Sequence, residues 1–162
     1  MKTENVLKPK TVAESRTEQV QILTLSTLNG AKRLFGGQLM QWIDIVAAVV
    51  ARRHSGCNIT TAVVDTLQFM NPAYGNDMVV LEGYMTYTGR TSMEVCVKTY
   101  VENSDGSRQE INTAYIVMVA LDENEKPTQV PQLLITTDEE KEEWNAAVKR
   151  NDLRKLRRKE RF

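Results

Sequence analysis

The chain has 162 residues, which is the usual size of one domain and leaves too little sequence for two independent hydrophobic cores. Hydrophobic residues make up 41% of the chain, a fraction that is normal for a globular protein and too high for a disordered one. Lys plus Arg and Asp plus Glu are equal at 21 residues each. This balance excludes a global electrostatic field that would draw the whole molecule to nucleic acid or to an anionic membrane.

Residues 1–18 are polar and carry charges without periodicity, which predicts a flexible leader. They lack the apolar stretch that a signal peptide needs, and the longest apolar segment, Leu39–Ala51, is interrupted by polar residues. Cys57 and Cys96 are the only cysteines, and Cys96 lies in an alternating apolar run that is typical of a core. We therefore expect a cytoplasmic protein without a disulfide framework or a membrane span.

A single domain is predicted over residues 19–136, and it begins with a strand and a helix. Val20–Thr27 is rich in β-prone residues and ends at the turn signal Asn29-Gly30. The segment after Gly36-Gly37 is apolar on nearly every face, and Arg, His and Gly residues within 52–56 close it as they do the C-terminus of a helix. This pattern predicts a central, buried helix.

The period of the apolar residues changes to two after this helix. Four strand candidates follow, at Thr60–Met70, Met78–Tyr87, Ser92–Glu102 and Ile111–Leu121. Their short connectors predict an antiparallel meander in chain order, with one buried and one mixed face. The fold class is therefore α+β, an antiparallel sheet wrapped around one long apolar helix. Residues 137–162 add a polar C-terminal helix that begins with acidic residues and ends with basic ones, the order that the helix dipole favours.

Asp44 breaks the apolar pattern of the central helix. Asp is a poor residue for a helix interior, and a buried carboxylate is costly unless it is paired or hydrogen-bonded. Ala47, Ala48 and Ala51 follow on the same side and leave room for a neighbouring backbone or a ligand. A satisfied polar residue at the helix edge explains Asp44 more simply than catalysis does, and the pattern alone leaves both interpretations open.

Gly36-Gly37 precedes this helix, where free backbone N–H groups and the positive end of the helix dipole can stabilise an oxyanion. Asp44 lies a little over two turns further on, so we expect a carbonyl at the helix N-terminus to meet a water or carboxylate near Asp44 over one apolar surface. The simpler explanation is that the glycines allow a tight entry into the helix. Asn29 is likewise explained as a turn residue beside Gly30.

Other chemistry has less support in the sequence. His54, the only histidine, lies at the predicted C-terminus of the helix, where a capping role is favoured over a catalytic one. The sequence has no second histidine or cysteine pair for a metal site, and it has no phosphate-binding glycine loop. The basic C-terminal tail can hold phosphates or RNA, but a solvated helix end is the simpler interpretation.

Several of these residues belong to one ordered set of motifs. The run NGAKRLFGGQLMQWID, the strand TTAVVDTLQFMNPAYGND and the run GRTSMEV resemble the hotdog-fold acyl-CoA thioesterases of the cytosolic acyl-CoA hydrolase type. The resemblance covers residues 16–125. FGG, an acid nine residues after that Phe, F-x-x-P and GRTSM occur in this order, and the combination is far more specific than any one motif.

The resemblance implies hydrolysis of acyl-CoA to a free acid and CoA, without a metal or an organic cofactor. Asp44 matches the family's catalytic carboxylate, which acts as a general base for water or as a nucleophile on the thioester. Asn29 matches the asparagine that helps to orient the water or the carbonyl. Gly36, or alternatively Gly37, matches the donor of the oxyanion N–H group.

The resemblance also implies how substrate and subunits are arranged. Arg90, Thr91 and Ser92 match the family's loop on the CoA side. Family protomers pair into homodimers with sites at the interface, and such dimers often assemble into hexamers. The chain departs from the family at Lys32, where Gly is frequent, and at Asn76, where Gly usually precedes Asp.

Three alternatives stay open at the level of the sequence. A non-catalytic acyl-CoA-binding hotdog module is expected to lack Asp44 or Asn29, and this chain retains both. A hotdog dehydratase needs a well-placed histidine, whereas His54 lies at the far end of the helix. An RNA-binding protein would use the basic tail, but we expect neither nucleic acid nor a membrane as a partner.

Overall fold

The computed structural model describes residues 7–162, which contain two α-helices and seven strands. The helices are α1 (Gly36–Ser55) and α2 (Asp138–Glu160). The strands are β1 (Lys10–Thr11), β2 (Thr17–Ile22), β3 (Asn58–Phe69), β4 (Met78–Thr88), β5 (Ser92–Glu102), β6 (Arg108–Leu121) and β7 (Leu133–Leu134). A turn of 3-10 helix, Leu25–Thr27, separates β2 from α1.

Five strands form one antiparallel sheet in the order β2-β4-β5-β6-β3. Helix α1 packs on one face of this sheet, and its side chains Leu39, Ile43, Val46 and Val50 are each at most 2% exposed. β1 and β7 form a separate parallel pair. The arrangement confirms the predicted α+β class, an antiparallel sheet around one long apolar helix with a C-terminal helix added.

The close contact between helix and sheet depends on Gly83 in the middle of β4. A Cβ atom at Gly83 would lie 2.6 Å from Cγ1 of Val46 and 2.9 Å from Cγ2 of Val50. Carbon atoms in favourable contact are about 3.5–4.0 Å apart. Because only glycine lacks this atom, Gly83 lets β4 approach α1 closely and sets the depth at which the helix lies on the sheet.

The strand order differs from the predicted meander. β4, β5 and β6 are consecutive neighbours, but β3 lies beside β6 at one edge and β2 lies beside β4 at the other. The connection over residues 70–77 does not form a hairpin, because its backbone bonds to other segments. The Leu34 N–H donates to the Ala73 carbonyl at 2.8 Å, and the Leu23 N–H donates to the Asp77 carbonyl at 2.9 Å. The chain is thereby carried from the β3 edge of the sheet to the position beside β2 where β4 begins.

The predicted leader and first strand also need correction. The leader was expected to span residues 1–18, of which 1–6 lie outside the described residues. Within the rest, β1 pairs with β7, and Val12 and Ser15 are buried. The first strand ends at Ile22 rather than at Thr27, because the Thr27 N–H bonds back to the Thr24 carbonyl at 3.0 Å and closes the 3-10 turn.

Helix α2 begins and ends as the charge pattern predicts, with acidic residues in its first turn and basic residues in its last. Thr137 caps it, since its hydroxyl accepts from the Glu140 N–H at 3.1 Å. The Glu140 carboxylate reaches back to the Thr136 N–H at 2.7 Å. None of the helices within residues 7–162 is long and apolar enough to cross a membrane.

His54 lies at the end of α1 but does not cap it, so the predicted capping role is wrong. Gly56 ends the helix in the left-handed conformation (φ 69°), and its N–H donates to the Arg52 carbonyl at 2.8 Å. The His54 ring is buried, and its Nε2 donates to the Pro131 carbonyl at 2.8 Å. Its Nδ1 is buried without a hydrogen-bond partner. The imidazole therefore ties the segment before β7 to α1, and a second proton would have no acceptor.

Acidification should weaken the fold through His54. Burial lowers the pKa of His54 more than the Pro131 carbonyl raises it, while the nearby Lys10 lowers it further and Glu14 raises it. The pKa of His54 in the folded protein therefore lies below the value of about 6.5 for an unfolded histidine. The contribution of neutral His54 to the free energy of unfolding is complete above about pH 6.5 and is lost as the pH falls toward the folded pKa. The urea concentration at the midpoint of unfolding should therefore fall between about pH 7.5 and about pH 5.5.

The control is His54→Gln, because the glutamine amide can still donate to the Pro131 carbonyl but does not titrate. The fall in the urea midpoint should be smaller in this variant than in the wild-type protein. Equal falls in the two proteins would assign the pH dependence to other groups.

Candidate active site

Asp44 lies on the exposed side of α1. Its Oδ1 accepts a hydrogen bond from the Thr61 hydroxyl of β3 at 2.7 Å, and the Thr61 oxygen also lies 3.4 Å from Sδ of Met118. Within residues 7–162, Oδ2 of Asp44 has no protein donor and the carboxylate has no ion pair. One oxygen is therefore fixed and the other is available to a ligand or to water.

The expectation of a buried carboxylate is wrong for the single protomer. Met40 and Ile45 lie near Asp44 on the open side of the helix, and each is 46% exposed. Ala47 and Ala51, which were expected to share the side of Asp44, are instead buried against the sheet. Because the helix is apolar on nearly every side, its sequence does not show which side the sheet covers and which side stays open.

The strand that holds Asp44 is also open. Residues 60–64 of β3 are exposed on both faces, although β3 lies in the main sheet, and one edge of β3 has no strand beside it among the described residues. Val63 and Val64 are 39% and 47% exposed. Asp44 and Thr61 thus lie beside exposed apolar side chains of α1, and the exposed valines of β3 follow Thr61 along the strand and line a groove toward α2.

The N-terminus of α1 offers backbone N–H groups that lack intrahelical partners. Phe35 is the N-cap residue and makes no side-chain cap bond, in contrast to the capped N-terminus of α2. A Cβ atom at Gly36 would lie 3.4 Å from Cζ of Phe69, so this ring covers Gly36. A Cβ atom at Gly37 would lie 2.6 Å from the Phe35 ring. Glycine at position 37 therefore leaves room for the exposed Phe35 ring, which agrees with the simpler explanation.

Asn29 builds the turn that precedes α1. Its Oδ1 accepts from the N–H groups of Ala31 (2.9 Å) and Arg33 (3.2 Å), and its own N–H donates to the Arg33 carbonyl at 2.8 Å. Its side-chain NH₂ group remains able to donate. Asn29 lines a cavity of about 300 Å³, together with Leu39 and Phe69. Asn29 is thus a turn residue, as local reasoning favoured, and it also borders a cavity.

The two departures from the family pattern fall on left-handed backbone. Lys32, inside the Asn29 turn, has φ 59°, and Asn76 has φ 71°. Glycine adopts this conformation without a steric penalty, and asparagine tolerates it better than other residues. Lys32 therefore adds about 1–2 kcal/mol of backbone strain to the turn that positions Asn29.

One protomer does not bring the N-terminus of α1 and Asp44 together. Eight residues separate Gly36 from Asp44, which is about 12 Å along a helix. Reacting atoms must approach to about 3–3.5 Å. The expectation that a carbonyl at Gly36 meets Asp44 over one surface of the same helix is therefore wrong. The candidates form two half-sites, which we call the Asn29 half-site (Asn29, Gly36 and Phe69) and the Asp44 half-site (Asp44 and Thr61).

The GRTS turn lies between β4 and β5, and its backbone holds another segment in place. The Arg90 carbonyl accepts from the Val130 N–H, and the Thr91 carbonyl accepts from the Ala120 N–H, both at 3.0 Å. Arg90 borders a cleft beside Trp144 that contains no residue of either half-site. The turn thus has a structural role in the protomer.

Ser92 borders a different groove, of about 300 Å³, between β3 and the basic end of α2. Arg154, Arg157 and Arg158 line this groove as well. The basic tail is the solvated helix end that was expected over residues 155–162, which are all exposed, but Arg154 and Arg157 also pair with Asp65 of β3. Ser92 is therefore the residue of the GRTS turn that lies near the tail.

Thr61 is the candidate that sequence reasoning missed. It lies in a run of β-prone residues whose alternation marks a strand but does not say which of two neighbouring threonines faces the helix. The register decides this, because Thr61 pairs with Met118, a residue of the core under α1. The pairing of β3 with β6, which the sequence did not predict, is thus what brings Thr61 to Asp44.

Comparisons with known proteins bear on this site. The model of the thioesterase superfamily matches residues 31–106. An uncharacterized acyl-CoA thioester hydrolase of Bacillus subtilis, YkhA, is 41% identical over 132 residues, which is 81% of this chain and 77% of that protein. The chain belongs to the hotdog-fold acyl-CoA thioesterase family. It spans only 36% of the length of the rat cytosolic acyl coenzyme A thioester hydrolase, to which it is 34% identical over 84% of its own length.

Solved structures of family members superpose on nearly the whole chain. A hexameric acyl-CoA thioesterase in its apo form has a TM-score of 0.89 and 37% identity, over 93% of this chain and 97% of that one. An acyl-CoA hydrolase from Staphylococcus aureus, solved with butyryl coenzyme A, coenzyme A and coenzyme A disulfide, has a TM-score of 0.89 and 32% identity, over 93% of each chain. Variants of the S. aureus hydrolase with alanine in place of an aspartate, an asparagine and a threonine have also been solved.

Proposed function

We propose that this protein hydrolyses acyl-CoA thioesters to a free carboxylic acid and CoA, with Asp44 as general base or nucleophile. The observation that carries the proposal is the hydrogen bond of 2.7 Å from Thr61 to Asp44 on the open side of α1. It fixes Oδ1 and leaves Oδ2 able to accept a proton from water or to attack a carbonyl carbon.

The spacing of three residues supports this role. The aspartate, asparagine and threonine replaced in the S. aureus hydrolase carry numbers that are each one lower than Asp44, Asn29 and Thr61. In both chains the asparagine precedes the aspartate by 15 residues, and the threonine follows it by 17. The hydrogen bond from Thr61 to Asp44 thus joins two residues that match replaced positions of that hydrolase, and Asn29 matches the third.

The reaction follows from the chemistry of these groups. In the general-base route Asp44 takes a proton from water as the water oxygen bonds to the thioester carbonyl carbon, and the Gly36 N–H stabilises the resulting oxyanion. The C–S bond then breaks, and the CoA thiolate leaves and takes up the proton. In the nucleophilic route Asp44 attacks the same carbon, the C–S bond breaks as the CoA thiolate leaves, and water then hydrolyses the resulting anhydride to the free acid and the Asp44 carboxylate. The NH₂ group of Asn29 orients the water or the carbonyl.

We propose further that two protomers of a homodimer form the complete site. Asn29 and Gly36 come from one protomer, and Asp44 and Thr61 come from its partner. The distance of about 12 Å between Gly36 and Asp44 along α1 supports this arrangement, because the two half-sites are too far apart to act on one carbonyl in a single chain. The exposed surface of α1 and β3 next to Asp44 is the surface that a second copy would cover. We further propose that three dimers form a hexamer.

The remaining alternatives have weaker support. A non-catalytic acyl-CoA-binding module has no need of the hydrogen bond that orients the Asp44 carboxylate. A dehydratase that uses the single histidine is disfavoured, because His54 is buried and its Nε2 is bonded to the Pro131 carbonyl. RNA binding by the tail is disfavoured, because arginines of α2 are paired with acids of the sheet.

Asp44→Asn should lower kcat at least about a hundredfold on the best acyl-CoA substrate, since the amide is neither a base nor a nucleophile. Release of the CoA thiol from a panel of acyl-CoA esters measures kcat and also identifies the preferred chain length. Asp152→Asn is the matched control, because Asp152 is an exposed aspartate of α2 that pairs only with Lys155. Near wild-type kcat in Asp44→Asn would contradict the assignment.

Arg90, Thr91 and Ser92 are proposed to lie near the CoA moiety, together with the cation of Arg158. Replacing Arg90 and Arg158 with Gln should raise KM for acyl-CoA while changing kcat little, because phosphate contacts bind substrate and transition state equally. Added salt should raise KM less in this double variant than in the wild-type protein.

Lys149→Gln is the control for charge, since Lys149 is an exposed cation of α2 that borders no described cleft. A KM unchanged by the double variant would exclude these contacts. Truncation of α2 is a poorer test, because it would leave Asp65 and Glu94 without their arginine partners.

A further inference from the structure

A cluster of five ionic side chains joins α2 to the face of the sheet that is turned away from α1. We call it the Asp65–Glu94 cluster, and its members are Asp65, Glu94, Arg150, Arg154 and Arg157. Arg154 lies at the centre, with Nη1 2.6 Å from Glu94 Oε2 and 2.8 Å from Asp65 Oδ2. Arg150 binds Glu94 Oε1 at 2.8 Å, and Arg157 binds Asp65 Oδ1 at 3.0 Å. The two acids are thus bridged by one arginine, and each has a second arginine of its own.

The cluster is buried at its centre. The side chains of Glu94, Asp65 and Arg154 are 0%, 5% and 9% exposed. Buried charges are tolerated only when their partners and hydrogen bonds are complete, and Thr86 supplies a further donor to Glu94 at 2.7 Å. Such a network holds its members in one geometry. It therefore fixes the position of Asp65 relative to α2 and β5.

Asp65 lies in the part of β3 where the backbone pairing with β6 is interrupted. The pairing of β3 with β6 shifts register between Thr61 and Val63 and again between Val64 and Thr66. Asp65 is the extra residue of the second shift, so it has no partner on β6. It is also the only charged residue of β3. The ion pairs of Asp65 therefore add side-chain contacts to α2 at a point where the backbone pairing of this bulged part is interrupted.

The same bulged part carries Thr61, four residues before Asp65. Thr61 faces α1, where it donates to Asp44, whereas Asp65 faces α2. Residues 62–64, which lie between the two anchors, are exposed. Any shift of the strand at Asp65 therefore acts on the distance of 2.7 Å between Thr61 and Asp44.

We propose that Asp65 is a positioning residue for catalysis. Held by Arg154 and Arg157, it fixes the bulged part of β3 so that Thr61 keeps the Asp44 carboxylate in its reactive orientation. Helix α2 is then part of the catalytic apparatus, although no residue of α2 contacts the reacting atoms. The inference rests on the proposed role of Asp44.

Asp65→Asn tests the proposal, because it weakens the hold on β3 while Arg154 keeps Glu94 and α2 stays docked. We expect kcat for acyl-CoA hydrolysis to fall about tenfold with KM changed less than about twofold. Thr61→Val removes the hydroxyl that Asp65 is proposed to position. The double variant Asp65→Asn with Thr61→Val should therefore be no slower than Thr61→Val alone. Asp152→Asn again controls for the loss of one carboxylate.

Arg157→Gln is a milder variant that covers poor folding of Asp65→Asn. Arg157 is half-exposed and bonds only to Asp65 within the cluster, so the buried part of the cluster stays intact. It should lower kcat in the same direction by about threefold. Unchanged kcat in both variants, or effects of Asp65→Asn and Thr61→Val that multiply in full, would overturn the proposal.

Hydrogen exchange gives a readout that does not depend on activity. In Asp65→Asn the backbone amides of residues 59–67 should exchange faster, while those of α2 keep their wild-type rates. Faster exchange in α2 as well would mean that Asp65 only docks the helix, and the positioning role would be wrong. If Asp44→Asn retained activity, the proposed function of Asp44 would be wrong. The exchange rates would still show whether the ion pairs of Asp65 hold β3 in place.

Discussion

The structure depends on a mismatch between one helix and one sheet. Helix α1 is apolar on nearly every side, but a five-stranded sheet covers only one side of it. Gly83 makes that contact close, because any larger residue would collide with Val46 and Val50. Met40, Asp44 and Ile45 are consequently left on the open side. In a single protomer the apolar side chains on one face of α1 are therefore buried, whereas those on the other face are exposed to solvent.

The position of the site follows from this mismatch. A carboxylate fully buried under the sheet would have to be paired or neutral, whereas on the open side it needs one hydrogen bond, and Thr61 supplies it. The N-terminus of the same helix is about 12 Å away and borders another cavity, beside Asn29. Pairing of two copies across the open side would cover the apolar surface and combine the two half-sites. Folding and catalysis would then depend on the same interface.

Much of the fold was predictable because the periodic spacing of apolar residues within short segments indicates its helices and strands. The end of α1 before Gly56 and the alternation of Met93, Val95 and Val97 follow from the spacing of apolar residues and from glycine, whereas α1 begins at Gly36 and so includes the two glycines that were expected to precede it. The edge position of β3 was not predictable, since backbone hydrogen bonds from residues 70–77 decide it. The side of α1 on which Asp44 lies was not predictable either, because a helix that is apolar on nearly every side does not show in its sequence which side faces the sheet.

The candidate site was predictable to the same degree. Asp44, Asn29 and Gly36 stand out in motifs along the chain, whereas Thr61 depends on the strand register and Asp65 depends on two bulges. The buried His54 and the paired arginines of α2 show the same limit, because their partners Pro131, Glu94 and Asp65 are distant in sequence. Motifs thus single out the proposed reacting groups, and tertiary contacts determine the residues that lie around them.

The central claim is that two protomers share each active site, and subunit mixing tests it most directly. Asn29→Ala and Asp44→Asn chains are co-expressed or mixed after unfolding, and mass spectrometry confirms that both occur in one dimer. Random pairing makes about half of the dimers mixed, and each mixed dimer has one site with both residues intact and one with neither. The account predicts that about a quarter of wild-type activity returns. Activity no higher than the average of the two parent variants, with mixed dimers present, would place both residues in one protomer and contradict the shared site.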